Sequence, residues 1–394
     1  MSRRDLRRAL ERAAREREDP RARERSLRVL HAAYAAHEPR ARRRPWRALV
    51  LGAIVAVVGA AGVAAARAPH SEIGRAMRSL LGAGEPHARQ ALVRVPGGGT
   101  LLVQAEGGAW VVSDSGVKRR LGAYAGASWS PHALFAVVWR GRELTAVDPK
   151  GRVRWSLPAP ERIRVARWAS GDGFLVAYVS ARSLRIVAGD GTGDRAYRSV
   201  RPDVAPAWRP GGGHVLAYVD ARGRVNVDSA DSSRSLWRTS RAVPPAAQLL
   251  WSAGGEFLLV LAPRRARLYD GSGRLLSETP WGAGFAAAHA VWAPRGTRVA
   301  VVRVNRAKRL SEVAVLDARG GRERVIFSRH GHFGAPAWSP DGRWLLLPWP
   351  EADQWLFLRP DASAGRTAVA NIARQFDPGA QSPEFPRTVQ WCCT

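Results

Sequence analysis

Tryptophans recur in step along most of this chain, and that period constrains the fold more than any other feature. Trp129, Trp168, Trp208, Trp251, Trp292 and Trp338 lie 39, 40, 43, 41 and 46 residues apart. Each is followed by a tight turn and then an apolar run. Trp129-Ser-Pro leads to Leu-Phe-Ala-Val-Val, and Trp168-Ala-Ser-Gly-Asp-Gly leads to Phe-Leu-Val-Ala-Tyr. Short apolar runs punctuated by Gly, Asp and Pro read as strands rather than helices. A period of about 40–45 residues is that of a four-stranded propeller blade. The expected fold is therefore all-β, a β-propeller over residues 92–394.

A second signature sits in the same cycles. Asp148-Pro-Lys-Gly151, Asp220-Ala-Arg-Gly223, Asp270-Gly-Ser-Gly273 and Asp317-Ala-Arg-Gly320 each follow an apolar run, and Asp114-Ser-Gly116 is a shortened copy. Asp bonds to its own backbone in a turn and Gly supplies positive φ, so these read as hairpins between the outer strands of each blade. The tryptophans are expected to pack between neighbouring blades, a structural role. Two segments decide the blade count. Val95-Pro-Gly-Gly-Gly, followed by Leu-Leu-Val-Gln, looks like a further cycle without its tryptophan. Thr388-Val-Gln-Trp391 looks like a last strand that carries it and closes the ring on the first blade, leaving no open edge. Seven blades follow if the Val95 cycle is a blade, and six if it is only a closing strand.

The last copy, Trp338-Ser-Pro-Asp-Gly-Arg-Trp344, resembles the repeat of TolB-like, WD-repeat-like bacterial propellers. The likeness runs over about residues 92–394. Trp168 and Trp251 lack the proline, and only the last copy has the full Pro-Asp-Gly. Some hydrolases carry a similar propeller in front of a catalytic domain. Here no Gly-x-Ser-x-Gly elbow is present, and no catalytic domain is expected after the last repeat.

Upstream, Ala48–Ala66 is an uncharged apolar run of transmembrane length. Arg40, Arg42, Arg43, Arg44 and Arg47 precede it and only Arg67 follows closely, which predicts a single span with the N-terminus cytoplasmic and the propeller extracytoplasmic. A signal peptide fits less well, because 47 residues precede the run. The expected domains are a basic helical arm (1–47), a transmembrane helix (48–67), a juxtamembrane linker (68–91) with a short helix over 71–81, and the propeller. The arm carries 16 Arg against 7 acids. Leu27, Leu30 and Tyr34 form a narrow apolar stripe on its second helical stretch. That stripe is the candidate face for a cytoplasmic protein; a solvated arm and a helix lying on anionic lipid are the other readings.

The net charge is +29, of which +20 lies beyond the arm. Nearly all the basic residues are arginine, so codon bias and selection for an acidic partner both fit. Clustering of that charge on one face would point to an acidic envelope polymer or lipid head groups. No nucleic acid is expected, since no basic–aromatic single-strand platform is evident. Cys392 and Cys393, adjacent at the end, read as an inert tail or an intermolecular disulfide. Gly189-Asp-Gly-Thr-Gly193-Asp194 fails the spacing of a phosphate loop and reads as a hairpin turn. His330-x-His332 lacks a third ligand. No catalytic residue, cofactor site or metal site is assigned. The leading expectation is a non-enzymatic protein- or ligand-binding propeller. The alternatives are a transmembrane regulator with the layout of an anti-sigma factor, and an enzyme with its site in the propeller channel.

Overall fold

The structure, a computed structural model, describes residues 94–393 apart from 171–173, 246, 320, 322 and 362–365. The strands form seven four-stranded antiparallel sheets. Blade 1 combines Thr100–Ala105, Gly108–Val112 and Lys118–Gly122 with the last strand, Thr388–Cys392. Blades 2 to 7 follow in order over 126–158, 163–199, 207–242, 248–280, 285–330 and 337–370. The first strands of successive blades contact one another and make the inner ring. The strand Thr388–Cys392 pairs antiparallel with Thr100–Ala105, placing Trp391 opposite Leu101. The Val95 cycle is thus the turn before the second strand of blade 1, which fixes the count at seven.

Each interface between blades holds one buried apolar cluster. The blade 2–3 interface joins Val137, Trp139 and Leu144 to Ala166, Trp168 and Tyr178. The blade 7–1 interface joins Leu346, Trp355 and Phe357 to Leu101, Val103 and Val389. A second strand is sandwiched on both sides: Leu102 packs toward blade 2 while Leu101 and Val103 pack toward blade 7. Burial on both faces explains why these strands are continuous apolar runs rather than alternating ones. Fourth strands sit at the rim, and Leu275–Pro280 is exposed throughout.

Antiparallel order gives the ring two faces. Turns between first and second strands, and hairpins between third and fourth strands, lie on what we call the turn face. Hairpins between second and third strands, and the crossings from blade to blade, lie on the crossing face. The hairpins at Asp114, Asp148, Asp270 and Asp317 join third to fourth strands as the pattern predicts. The Asp220 hairpin does not: it joins Val215–Val219 to Arg224–Ser229, the second and third strands of blade 4. The same Asp-x-x-Gly chemistry closes either type of hairpin, so the motif does not encode strand position. The Asp317 turn is also one residue longer than predicted, with Gly321 at φ 61 donating to the Asp317 carbonyl.

A short helix, Ile372–Phe376, lies in the long crossing from blade 7 to the closing strand and buries Ile372 and Phe376 beside Trp110 and Trp355. Among the described residues no helix is long and apolar enough to cross a membrane. The arm, the predicted span 48–67 and the predicted 71–81 helix lie outside the described residues.

Candidate binding face

The turn face is occupied by its own backbone bonds. After Trp129, Trp251 and Trp338, the hydroxyls of Ser130, Ser252 and Ser339 accept the N–H groups of Phe135, Phe257 and Trp344 at 3.0, 3.0 and 2.9 Å. The hairpin carboxylates are used in the same way. Asp148 Oδ1 accepts the Lys150 and Arg152 N–H groups, both at 2.9 Å, and Asp270 Oδ1 accepts those of Ser272 and Arg274, both at 3.0 Å. Ser272, with the Arg274 backbone and side chain, lowers the Asp270 carboxyl to about 2. These acids serve turn geometry and are not paired for acid–base catalysis.

The tryptophans close the first strands of their blades. Trp208 Nε1 donates to Arg167 O at 3.0 Å, Trp292 Nε1 to Leu250 O at 2.9 Å and Trp338 Nε1 to Val291 O at 3.2 Å. Each acceptor is the residue before the tryptophan of the preceding blade. Trp391 instead donates to Gly98 O at 2.8 Å. The indoles of Trp129, Trp168 and Trp251 are buried without a hydrogen-bond partner among the described residues.

The crossing face is built differently. Its loops and strand ends carry Arg162, Arg182, Arg222, Arg241 and Arg264, all exposed and without an ion pair among the described residues. Two cavities open between them. One, of about 550 Å³, is lined by Pro160, Glu161, Arg182, Arg185, Tyr197 and Arg198. The other, of about 740 Å³, is lined by Val243, Pro244, Pro245, Ala262, Pro263 and Arg264 among others. Arg185 at the first cavity is committed: Asp194 pairs with it at 2.7 Å and raises its pKa, with Tyr178 adding a hydrogen bond. Arg198 reaches across to Asp228 of blade 4 at 3.0 Å and lies 4.5 Å over the Tyr197 ring. Burial, with the Asp228 charge nearby, pushes the Tyr197 phenol up to about 12. Asp228 is 1% exposed and also accepts Tyr218 Oη at 3.0 Å, so this node ties blade 3 to blade 4.

The other sector of the same face, over blades 7 and 1, is acidic. Glu351, Asp353, Asp377 and Glu384 lie there, and Arg387 pairs with Glu106. His332 pairs with Glu351. Among the described residues no group of three or more His, Cys, Asp or Glu is placed to hold a metal. Gly189–Gly193 forms the hairpin between the third and fourth strands of blade 3, with Asp190 Oδ1 accepting the Thr192 N–H at 2.9 Å. Cys392 and Cys393 are bonded to each other, which replaces the expected free tail or intermolecular link. Leu27, Leu30 and Tyr34 lie outside the described residues.

Two sets of residues escaped the sequence reading. Gln390 and Gln248 lie on first strands and cap the next first strand: Gln390 Nε2 donates to Ala127 O at 2.9 Å, and Gln248 Nε2 to Ala288 O at 2.8 Å. Trp155 and Trp237, on fourth strands, donate across to the next blade at Gly189 O and Gly271 O, at 2.7 and 3.1 Å. A 36-residue step from each of these tryptophans to Gly191 or Gly273 of the next hairpin was the available signal.

No protein-family model and no curated protein matches the chain. Solved structures do. The β-propeller domain of Cps50 (Swd1) from Myceliophteria thermophila is 16% identical with a TM-score of 0.56, over 70% of this chain and 98% of that one. Hydrazine synthase from Kuenenia stuttgartiensis is 14% identical with a TM-score of 0.49, over 60% of this chain and 76% of that one. At these identities the Cps50 likeness is one of fold, a β-propeller.

Proposed function

We propose that the chain is a non-enzymatic, membrane-anchored binding module: a TolB-like bacterial propeller that holds a protein or envelope component outside the membrane. The observation that carries this reading is the division of the crossing face, with unpaired arginines over blades 3 to 5 and carboxylates over blades 7 and 1. On the turn face the serines and aspartates of the turns bond to their own loops, while Lys150, Arg295 and Arg343 stand exposed. The uncharged run 48–66, with arginines ahead of it, supplies the anchor and the orientation. Crosslinking of the intact protein in its own membrane, followed by capture, tests the reading. A partner recovered with the whole chain and lost when the propeller is removed supports it. Turnover of a substrate by the purified protein, or an unchanged partner after removal, overturns it.

A second reading rests on the apolar stripe of Leu27, Leu30 and Tyr34 in the charged arm. A binding propeller needs an anchor but not such a stripe, so the chain would be a transmembrane regulator with the layout of an anti-sigma factor. A peptide of residues 1–45 should then bind a cytoplasmic partner, and Leu27→Asp with Leu30→Asp should abolish it. Failure of the wild-type peptide to capture any such partner removes this reading.

A further inference from the structure

The arginines of the crossing face are in phase with the architecture. From Arg142 through Arg162, Arg182, Arg201, Arg222 and Arg241 to Arg264 they follow at intervals of 20, 20, 19, 21, 19 and 23 residues. That step is half a blade. A chain winding through four antiparallel strands returns to the crossing face twice per blade, once at the hairpin between second and third strands and once at the crossing to the next blade. Half-blade spacing therefore delivers every one of these residues to the same face, side by side around an arc over blades 2 to 5. Two of them have local duties: Arg142 donates to Ala159 O at 3.1 Å, and Arg201 pairs with Asp203. The others have no carboxylate partner among the described residues, where Glu143 and Glu161 are the acids of the arc outside an ion pair. The two cavities open within the arc, and the larger has an apolar wall of Val243, Pro244, Pro245 and Pro263 behind Arg264. The last described residue, Cys393, and the segment 95–99 leading into blade 1 both lie on the turn face, so the arc is clear of them.

We propose that this arc seats an extended acidic segment of a partner polypeptide, its carboxylates on the arginines and its apolar side chains in the two cavities. The proposal rests on the reading of the propeller as a binding module and names the chemistry of its partner. Guanidinium groups present forked donors that match carboxylates. A phosphate polymer or a lipid head group would satisfy the arginines equally but has nothing to bury against prolines and valine. A chain with acidic and apolar residues taking turns at every second position uses both features, since only every second side chain of an extended segment points to the same side. The acidic sector over blades 7 and 1 repels such a segment and confines it to the arc.

The test uses the purified full chain in neutral detergent and anisotropy of a labelled peptide about twelve residues long, which spans roughly 40 Å when extended. The peptide places Glu and then Leu or Val in turn at every second position, with Thr between them. Binding should weaken about tenfold when Leu and Val are replaced by Ser, and should be lost when Glu is replaced by Gln; a tenfold change corresponds to about 1.4 kcal/mol. Arg182→Glu, Arg222→Glu and Arg264→Glu together should abolish binding. Lys150→Glu, Arg295→Glu and Arg343→Glu, on the turn face, should leave it within about twofold, as expected for charges farther from the arc than a Debye length. Denaturation midpoints of both triple variants confirm that they fold. Equal loss in the two triples, equal binding of the Gln peptide, indifference to the Ser replacement, or equal affinity for polyphosphate or phosphatidylglycerol vesicles would each overturn the proposal. Should the peptide fail while the crosslinked partner is still recovered, this inference falls and the binding-module reading stands; should both fail, both fall.

Discussion

Gln390 offers a direct measure of how firmly the ring is closed. It lies on the strand Thr388–Cys392 and reaches the inner strand of blade 2. Its Nε2 donates to Ala127 O at 2.9 Å, and its Oε1 accepts the Trp129 N–H at 3.1 Å. Gln390→Leu removes both bonds and leaves a backbone donor and acceptor without partners. At about 1 kcal/mol net for each bond, the loss is about 2 kcal/mol. Gln390 is half-buried, so water can reach the orphaned groups and the larger cost of dry burial does not apply. For a domain of this size the change should lower Tm by about 4 °C. Gln390→Glu separates the two bonds. An ionised carboxylate still accepts from Trp129 N–H but sets an oxygen against the Ala127 carbonyl, so at neutral pH it should destabilise as much as leucine does. Acidification below the ordinary glutamic pKa of about 4.3 restores a donor and should narrow the gap to wild type at the same pH. Differential scanning calorimetry at two pH values reads both effects. If Gln390→Leu stays within about 0.5 kcal/mol of wild type, the side-chain cap contributes nothing, and closure rests on the strand pairing alone.

Three further outcomes follow from the turns. At Gly273, with φ 91, an added Cβ would lie 2.6 Å from Trp237, so Gly273→Ala should cost about 3 kcal/mol by denaturant midpoint, while Gly212→Ala, with open space around it, should be neutral. Ala133 sits at φ 51 where the matching turns have Gly255 and Gly342; relief of strain there exceeds the added chain entropy, so Ala133→Gly should gain about 0.5 kcal/mol, and a loss would refute the strain argument. The Asp270 carboxyl is held down to about 2 by the Ser272 hydroxyl and by Arg274, so its contribution is complete above the unfolded value of about 3.9 and disappears as pH falls toward 2. Asp270→Asn should flatten that part of the acid-unfolding profile, and an unchanged profile would show that the turn bonds do not favour the ionised form.

The features legible in the sequence are those that every blade must repeat. A tryptophan at the end of a first strand packs into the cluster against the preceding blade in every case, because each inner strand abuts the one before it; Trp208, Trp292 and Trp338 also donate to the residue before the preceding tryptophan, a bond that Trp129, Trp168 and Trp251 do not make. The closing strand could be read for the same reason, since Trp391 completes the series. What only one or two blades do gives at most a single repeated step to find. The hairpin at Asp220 uses the turn chemistry of its neighbours at a different strand junction, and Trp155 and Trp237 bridge only two of the interfaces. The arginine-lined face was hidden for a different reason. Its arginines stand about 20 residues apart, and a search at the blade period passes over half of them. Only the fold shows that hairpins and crossings alternate on one face, which halves the repeat for anything displayed there. Codon bias can supply arginines, but it does not set them at half-blade intervals on one face.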